Sequence, residues 1–233
     1  MVDDTIYQNG TYLENNLTWN AEDSPWKARQ IAKILRKNNI TPSTVCEVGC
    51  GAGEILNCLA NEYGDQVVFS GYEISPQAFE LCKNKERRNL SFYLEDIKGD
   101  SDVFFDIVMA IYVVEHVEDY FGFLRKLRAK GTYKIFHIPL ELSVQMVLRN
   151  SPILRGRASV GHIQYFTKDT ALATLKDTGY EVVDYFYTGS MLDLPNRGWK
   201  ANLLKLPRKL CFAIHQDLTV RILGGYSLLV LAR

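Results

Sequence analysis

The sequence predicts an α/β domain, a parallel sheet covered by helices on both faces. Three observations carry that expectation. Strand-like and helix-like segments alternate along most of the 233 residues. A short apolar strand, Val45 to Val48, runs into a turn with glycine at positions 49, 51 and 53, and a helix-forming run, Glu54 to Tyr63, follows. The next apolar strand, Val67 to Tyr72, closes on an acid, Glu73. Glycines at a strand–helix junction admit positive φ and let a ligand lie against the main chain, and the helix N-terminus beyond offers unpaired N–H groups.

The elements follow in order. Trp26 to Asn38 is an amphipathic helix, with Ala28, Ile31, Ala32, Ile34 and Leu35 apolar and Lys27, Arg29, Lys33, Arg36 and Lys37 assigned to the polar face. Ser24-Pro25 supplies its cap and first-turn proline. Pro76 to Arg88 is the helix after the second strand, with Ser75 as N-cap. Ser91 to Ile97 reads as a third strand and Phe104 to Ala110 as a buried fourth, followed by Ile111 to Val117 with its Glu115-His116 pair. A helix over Glu118 to Lys130 and a strand over Thr132 to Ile138 come next. Lys168 to Thr178 is a helix capped by Thr167 and stopped by Gly179, and Tyr180 to Tyr187 and Tyr226 to Ala232 are the final strands.

This organisation gives a single domain over residues 26–233 behind an N-terminal extension, residues 1–25, rich in Asn and aromatics and suited to act as a lid. Two insertions stand outside the alternating pattern, near 141–162 and 188–225. Ligands in open α/β sheets bind beyond the carboxyl ends of the strands, so the first insertion is a natural substrate wall.

Acids and bases balance at 27 each, so no global field draws the chain to nucleic acid. No apolar run is long enough to span a bilayer, and the first ten residues lack a signal-peptide pattern. Cysteines 46, 50, 58, 82 and 211 are odd in number and lack C-x-x-C spacing, which points to free thiols in a reducing cytoplasm and not to a zinc site.

Spacing separates two cofactor classes. A dinucleotide loop wants G-x-G-x-x-G, but Glu54 occupies the position of the last glycine, where a carboxylate would face the pyrophosphate. The pattern Glu47-x-Gly49-x-Gly51-x-Gly53, with Glu73, Asp96 and the Glu115-His116 segment in order, resembles class I S-adenosylmethionine (SAM)-dependent methyltransferases of the small-molecule branch. The resemblance implies a Rossmann-like seven-stranded sheet whose last strand runs antiparallel between the fifth and sixth. It implies SAM as cofactor and S-adenosylhomocysteine as product. Gly49, Cys50, Gly51 and Gly53 would admit the methionine end, with Glu47 orienting it. Glu73, with Ile74 beside it, would hold the ribose, Asp96 and Ile97 would meet the adenine, and Tyr112 would border the cofactor. Relatives in quinone biosynthesis carry an acid where this chain has Tyr112 and bind a divalent metal with it; the change predicts no metal dependence here.

For a hydroxyl acceptor the protein must remove a proton, and histidine suits that task near neutral pH. His116, at the carboxyl edge after the fourth strand, and His162, beside the fifth-strand insertion, are the candidate bases; His137 and His215 read as structural. Members of the resembled family that methylate amide or base nitrogens carry Asn/Asp-Pro-Pro-aromatic after the fourth strand; this chain has Ala110-Ile-Tyr-Val, so the resemblance implies a small molecule or glycan methylated on oxygen. Residues 197–214 are basic and amphipathic and contain no acid, so contact with a membrane surface or a lipid-linked substrate is a further expectation. A SAM-binding protein without transfer activity, acting as a partner or regulatory subunit, and an NAD-dependent oxidoreductase are the alternatives.

Overall fold

A computed structural model describes residues 11–97, 103–189, 193 and 205–233. Strands β1 (Thr44–Val48), β2 (Val68–Glu73), β3 (Leu90–Leu94), β4 (Phe105–Ile111), β5 (Gly131–Pro139), β6 (Val182–Thr188) and β7 (Ser227–Ala232) form one sheet in the order β3-β2-β1-β4-β5-β7-β6. The pairs among β1 to β5 are parallel, and β7 is antiparallel to both β5 and β6. The expected fold class is therefore present, including the position and direction of its last strand. β1 and β4 flank the point where strand order reverses, the place where an open α/β sheet leaves a crevice.

The helices are α1 (Thr11–Asn15), α2 (Ser24–Lys37), α3 (Glu54–Tyr63), α4 (Pro76–Cys82), α5 (Tyr120–Arg128), α6 (Val144–Arg149), α7 (Ser151–Val160), α8 (Lys168–Asp177), α9 (Lys205–Ile214) and α10 (Gln216–Leu223). Two apolar layers result. Ile31, Ile34, Leu35, Leu56 and Leu59 pack α2 and α3 on one face of the sheet, and Leu124, Leu127, Ala171, Leu175 and Val220 pack α5, α8 and α10 on the other.

Local chemistry explains most boundaries. Ser75 accepts from the Ala78 N–H and Thr167 from the Thr170 N–H, as N-caps should. Helix α2 starts at Ser24, two residues earlier than expected, because Pro25 fits the first turn. Helix α4 ends at Cys82 and continues only as a single 3-10 turn, Lys83–Lys85, so the expected helix to Arg88 is shorter. β3 stops at Leu94, leaving Asp96 beyond the strand. His215 is the N-cap of α10, accepting from the Leu218 N–H at 3.2 Å. The expected insertion at 141–162 holds α6 and α7, and the one at 188–225 holds α9 and α10. Residues 1–10 of the expected lid and 197–204 of the basic segment lie outside the described residues.

Candidate functional site

The β1–α3 turn is built as the glycine spacing requires. Gly49, Gly51 and Gly53 have φ of 70°, 55° and 72°, in the left-handed region that side chains with a Cβ avoid. The turn is held from behind: Gly49 N–H donates to Tyr72 O at 2.8 Å and Gly53 N–H to Cys50 O at 2.9 Å. Glu73 braces it from β2. One carboxylate oxygen accepts from Gly51 N–H and the other from Ile74 and Ser75 N–H, each at 2.8 Å. Burial raises the Glu73 carboxyl above its ordinary range even against those three donors. Cys50 is buried; its bond with Cys82, together with burial, pushes its thiol far up, which leaves an unreactive wall residue.

Two adjoining cavities open on this turn, of about 740 and 510 Å³. Tyr12, Trp19, Gly49, Tyr112 and His116 line both, so the two share a wall. The smaller runs over Val48, Tyr72, Glu73, Ile74 and Asp96 to Val113, Val117 and Phe123, an acid-edged slot with apolar walls. Asp96 is salt-bridged to Lys126 at 2.5 Å. Ile97 is a correction: it is wholly buried in the core behind the slot and does not reach the wall, because β3 ends three residues before it.

The larger cavity holds most of the charge. Glu47 is buried, and its Oε2 meets no hydrogen-bond donor. Burial pushes its carboxyl up to about 8, partly offset by the nearby Lys27 ammonium. Lys27 itself is pulled below the usual lysine range by burial, with Asp23, Glu47 and Glu115 resisting. Its Nζ stands 4.7 Å from the centre of the Tyr112 ring. Lys27 is a second correction, since it does not join the solvated face of α2. It precedes Ile31 by four residues and Ile34 by seven, so it shares their inward stripe. That spacing was the signal that could have found it.

Tyr112 has φ of 59°, a left-handed conformation that a bulky residue adopts only under constraint. The constraint is visible: its hydroxyl lies 2.8 Å from Ser227 Oγ on β7, and its ring packs 4.5 Å from that of His137. His137 is buried with Nε2 2.7 Å from Thr188 Oγ1, as expected of a structural histidine.

His116 and His162 come together, their rings 4.8 Å apart edge to face. Their environments differ. Burial, with His162 adding to it, drops His116 to about 3, and its Nδ1 lies 3.3 Å from Gly161 O. His162 loses something to burial, but its 2.9 Å bond to Glu141 and the charges of Glu115 and Glu141 hold it above the ordinary histidine range. With Nδ1 turned to Glu141, its Nε2 is left as the free ring nitrogen in that tautomer. Glu115 is fully buried, neither of its oxygens meets a donor, and burial raises its carboxyl to about 7 despite His162. Sequence reasoning missed Glu141, the only acid between residues 119 and 169. A lone acid just past the carboxyl end of β5 was the available clue.

A zwitterionic amino-acid head fits this geometry, with Lys27 for its carboxylate and the orphaned Glu47 oxygen for its ammonium. A purine fits the apolar slot with an acid at its edge. The decisive comparison is with protein families: the methyltransferase-domain family matches residues 23–185.

The chain belongs to that family.

Solved methyltransferase-domain structures share its fold. The SAM-dependent methyltransferase of Geobacter sulfurreducens, in complex with S-adenosylhomocysteine, matches with a TM-score of 0.63 at 17% identity over 100% of this chain and 99% of that one. That of Thiobacillus denitrificans, also with S-adenosylhomocysteine, gives 0.60 at 15% over 96% of each. Pavine N-methyltransferase of Thalictrum flavum subsp. glaucum is 28% identical over 88 residues, which are 36% of this chain and 25% of that protein. The chain thus matches only a quarter of that curated relative's length.

Proposed function

We propose that this methyltransferase-domain protein transfers a methyl group from SAM to a hydroxyl of a small molecule or glycan. The observation that carries the reading is that one cavity is lined by both the glycine turn and His162. SAM, when bound, supplies a methyl group on a sulfonium and leaves as a neutral thioether. Lys27 and Glu47 bind the amino-acid head, the Gly49–Gly53 turn lets it lie against the backbone, and Glu73 accepts from the ribose hydroxyls while bracing the turn. Asp96 meets the adenine edge, with Tyr72, Ile74, Val113 and Phe123 as walls.

His162 is the base, taking the acceptor's proton on Nε2, while Glu141 fixes its tautomer and favours the cation that forms. His116 stays neutral and shapes the wall between cofactor and acceptor. Trp19 and Tyr12 keep water from the reacting centre, so residues 11–25 of the extension serve as the lid. Oxygen acceptance is supported by His162, paired with Glu141 at 2.9 Å, lining the same cavity as the glycine turn. The pavine enzyme, by its name, methylates nitrogen, so an amine acceptor is the second reading.

Calorimetric titration with SAM, S-adenosylhomocysteine and NAD tests the cofactor. Binding of the first two alone supports the reading and opens an acceptor screen from phenols and sugars; NAD alone would overturn it.

A further inference from the structure

Helices α6, α7 and α9 contribute no buried side chain. Instead they expose aliphatics: Leu148 at 80%, Leu154, Leu206, Leu210 and Ile214 at 85%. Leu206, Leu210 and Ile214 recur every four residues and so form one stripe along α9. All three helices border the larger cavity, and α6 and α9 are both joined to the end of α10. Gln145 of α6 and Arg208 of α9 both donate to Leu223 O at the end of α10, at 2.7 and 3.3 Å, and α7 follows α6 directly.

The charge around these aliphatics is one-sided in a chain that is neutral as a whole. Residues 142–167 and 205–216 contain no acid, yet they carry Arg149, Arg155, Arg157, Lys205, Arg208 and Lys209. Asp193 approaches Lys209 at 3.6 Å, and Glu141 pairs with His162 inside the cavity. Arg149, Arg155 and Arg208 also line the larger cavity, so this surface and the acceptor side of the site share a wall.

We propose that α6, α7 and α9 form a docking surface for an anionic lipid bilayer, with the aliphatics entering the headgroup boundary and the bases meeting lipid phosphates. Charge selects this occupant. A second copy of the chain placed face to face across a two-fold axis would set basic surface against basic surface. A single-stranded nucleic acid would want aromatic platforms among the bases, and a duplex backbone gains nothing from an aliphatic stripe, whereas the large exposed apolar residues here are Leu, Val and Ile. Aliphatics ringed by Lys and Arg match a negatively charged interface. No helix among the described residues is long and apolar enough to cross a membrane, so the contact is peripheral. The proposal goes beyond methyl transfer, and an acceptor with a lipid anchor would reach the cavity from this side.

The test is co-sedimentation of the full chain with vesicles of phosphatidylcholine alone or with about a third phosphatidylglycerol, at low and high salt. The expected result is binding to the anionic vesicles at least about tenfold tighter than to the neutral ones, weakened by salt. Leu148→Asp with Leu210→Asp, and separately Arg157→Glu with Lys209→Glu, should each lower that binding about tenfold or more; none of these residues lines the cavities. Unchanged S-adenosylhomocysteine affinity and thermal melts show that the variants are folded. Equal binding to both vesicle types, no binding, or variants that sediment like the parent would overturn the proposal. So would a dimer in light scattering that the same substitutions dissolve without any vesicle binding. Vesicle binding is read without turnover, so its failure leaves the methyl-transfer reading intact, and the reverse holds.

Discussion

Trp19 stands directly against Gly51: a Cβ placed on that glycine would lie 2.7 Å from the indole Cδ1. The N-terminal segment therefore closes on the backbone of the cofactor turn itself, and Tyr12 supports it with its ring 4.5 Å from that of Trp19. Trp19→Ala should speed release of bound S-adenosylhomocysteine by about tenfold while leaving the fold intact, since Trp19 is only partly buried. Stopped-flow displacement measures this, and an unchanged off-rate would show that the lid lies elsewhere. Gly51→Ala should lower the melting temperature as well as affinity, because it adds a left-handed alanine to the collision.

Lys27→Met should weaken SAM and S-adenosylhomocysteine binding by tenfold or more, yet leave adenosine, which lacks the amino-acid head, bound as before. Calorimetry with the two ligands separates these outcomes. An equal loss for both would place Lys27 in general structure and not at the head.

His162→Asn should lower kcat by about 10²–10⁴ without changing cofactor affinity. Glu141→Gln should lower kcat less and also move the acidic limb of the pH–rate profile downward, because the bond to Glu141 helps hold His162 above its usual range. A limb that stays in place in the glutamine variant would detach Glu141 from the base.

Glu47 and Glu115 make the ligand-free protein sensitive to base. Their folded carboxyls, at about 8 and about 7, exceed the ordinary 4.5 of the unfolded chain. Over that interval the folded state holds more protons, so stability falls as pH rises from about 4.5 towards 8. One retained unit of difference corresponds to about 1.4 kcal/mol, or a melting shift of about 2–4 °C in a domain of this size. Melts of the ligand-free chain should fall by at least that much from pH 5 to pH 8, and Glu47→Gln should flatten the curve. A flat parental curve would mean the two acids are hydrated in solution.

Removing divalent metal with a chelator should leave turnover unchanged. Glu115, His116 and His162 each offer a ligand atom within 4.8 Å of the others, and His116 Nε2 stands 4.0 Å from Glu115 Oε1. Tetrahedral ligands at bonds of about 2.0–2.1 Å lie about 3.4 Å apart, so the 4.0 Å pair would have to close up to share an ion. Stoichiometric metal in the purified protein, lost together with activity, would show that the cluster contracts around an ion.

The fold was readable because its signals are local. The glycines at 49, 51 and 53, the acid closing β2 and the caps Ser75 and Thr167 depend on near neighbours in the chain, and each sits where its chemistry places it. Gly49, Glu73, Ile74 and Asp96 stand at or just past strand ends in the same local way, and all four border the slot. Ile97 failed because the strand that would carry it to the wall ends at Leu94, a tertiary outcome. Lys27 was hidden by its residue type, since a lysine on an amphipathic helix reads as solvated unless the stripe is counted residue by residue. Glu141 reaches His162 only across 21 residues of folded chain, a pairing that no local pattern encodes.

The bond between Tyr112 and Ser227 joins the turn after β4 to the first residue of the last strand. A nascent chain that has emerged only as far as β6 therefore has the glycine turn, every acid of the slot and the His137 ring against Tyr112, but lacks the Ser227 hydroxyl that completes the hold on Tyr112. Nor has it the strand that seals β5 against β6. The pocket is thus gated by order of synthesis: cofactor affinity should arrive with residues 227–232 and not grow gradually as the sheet is laid down.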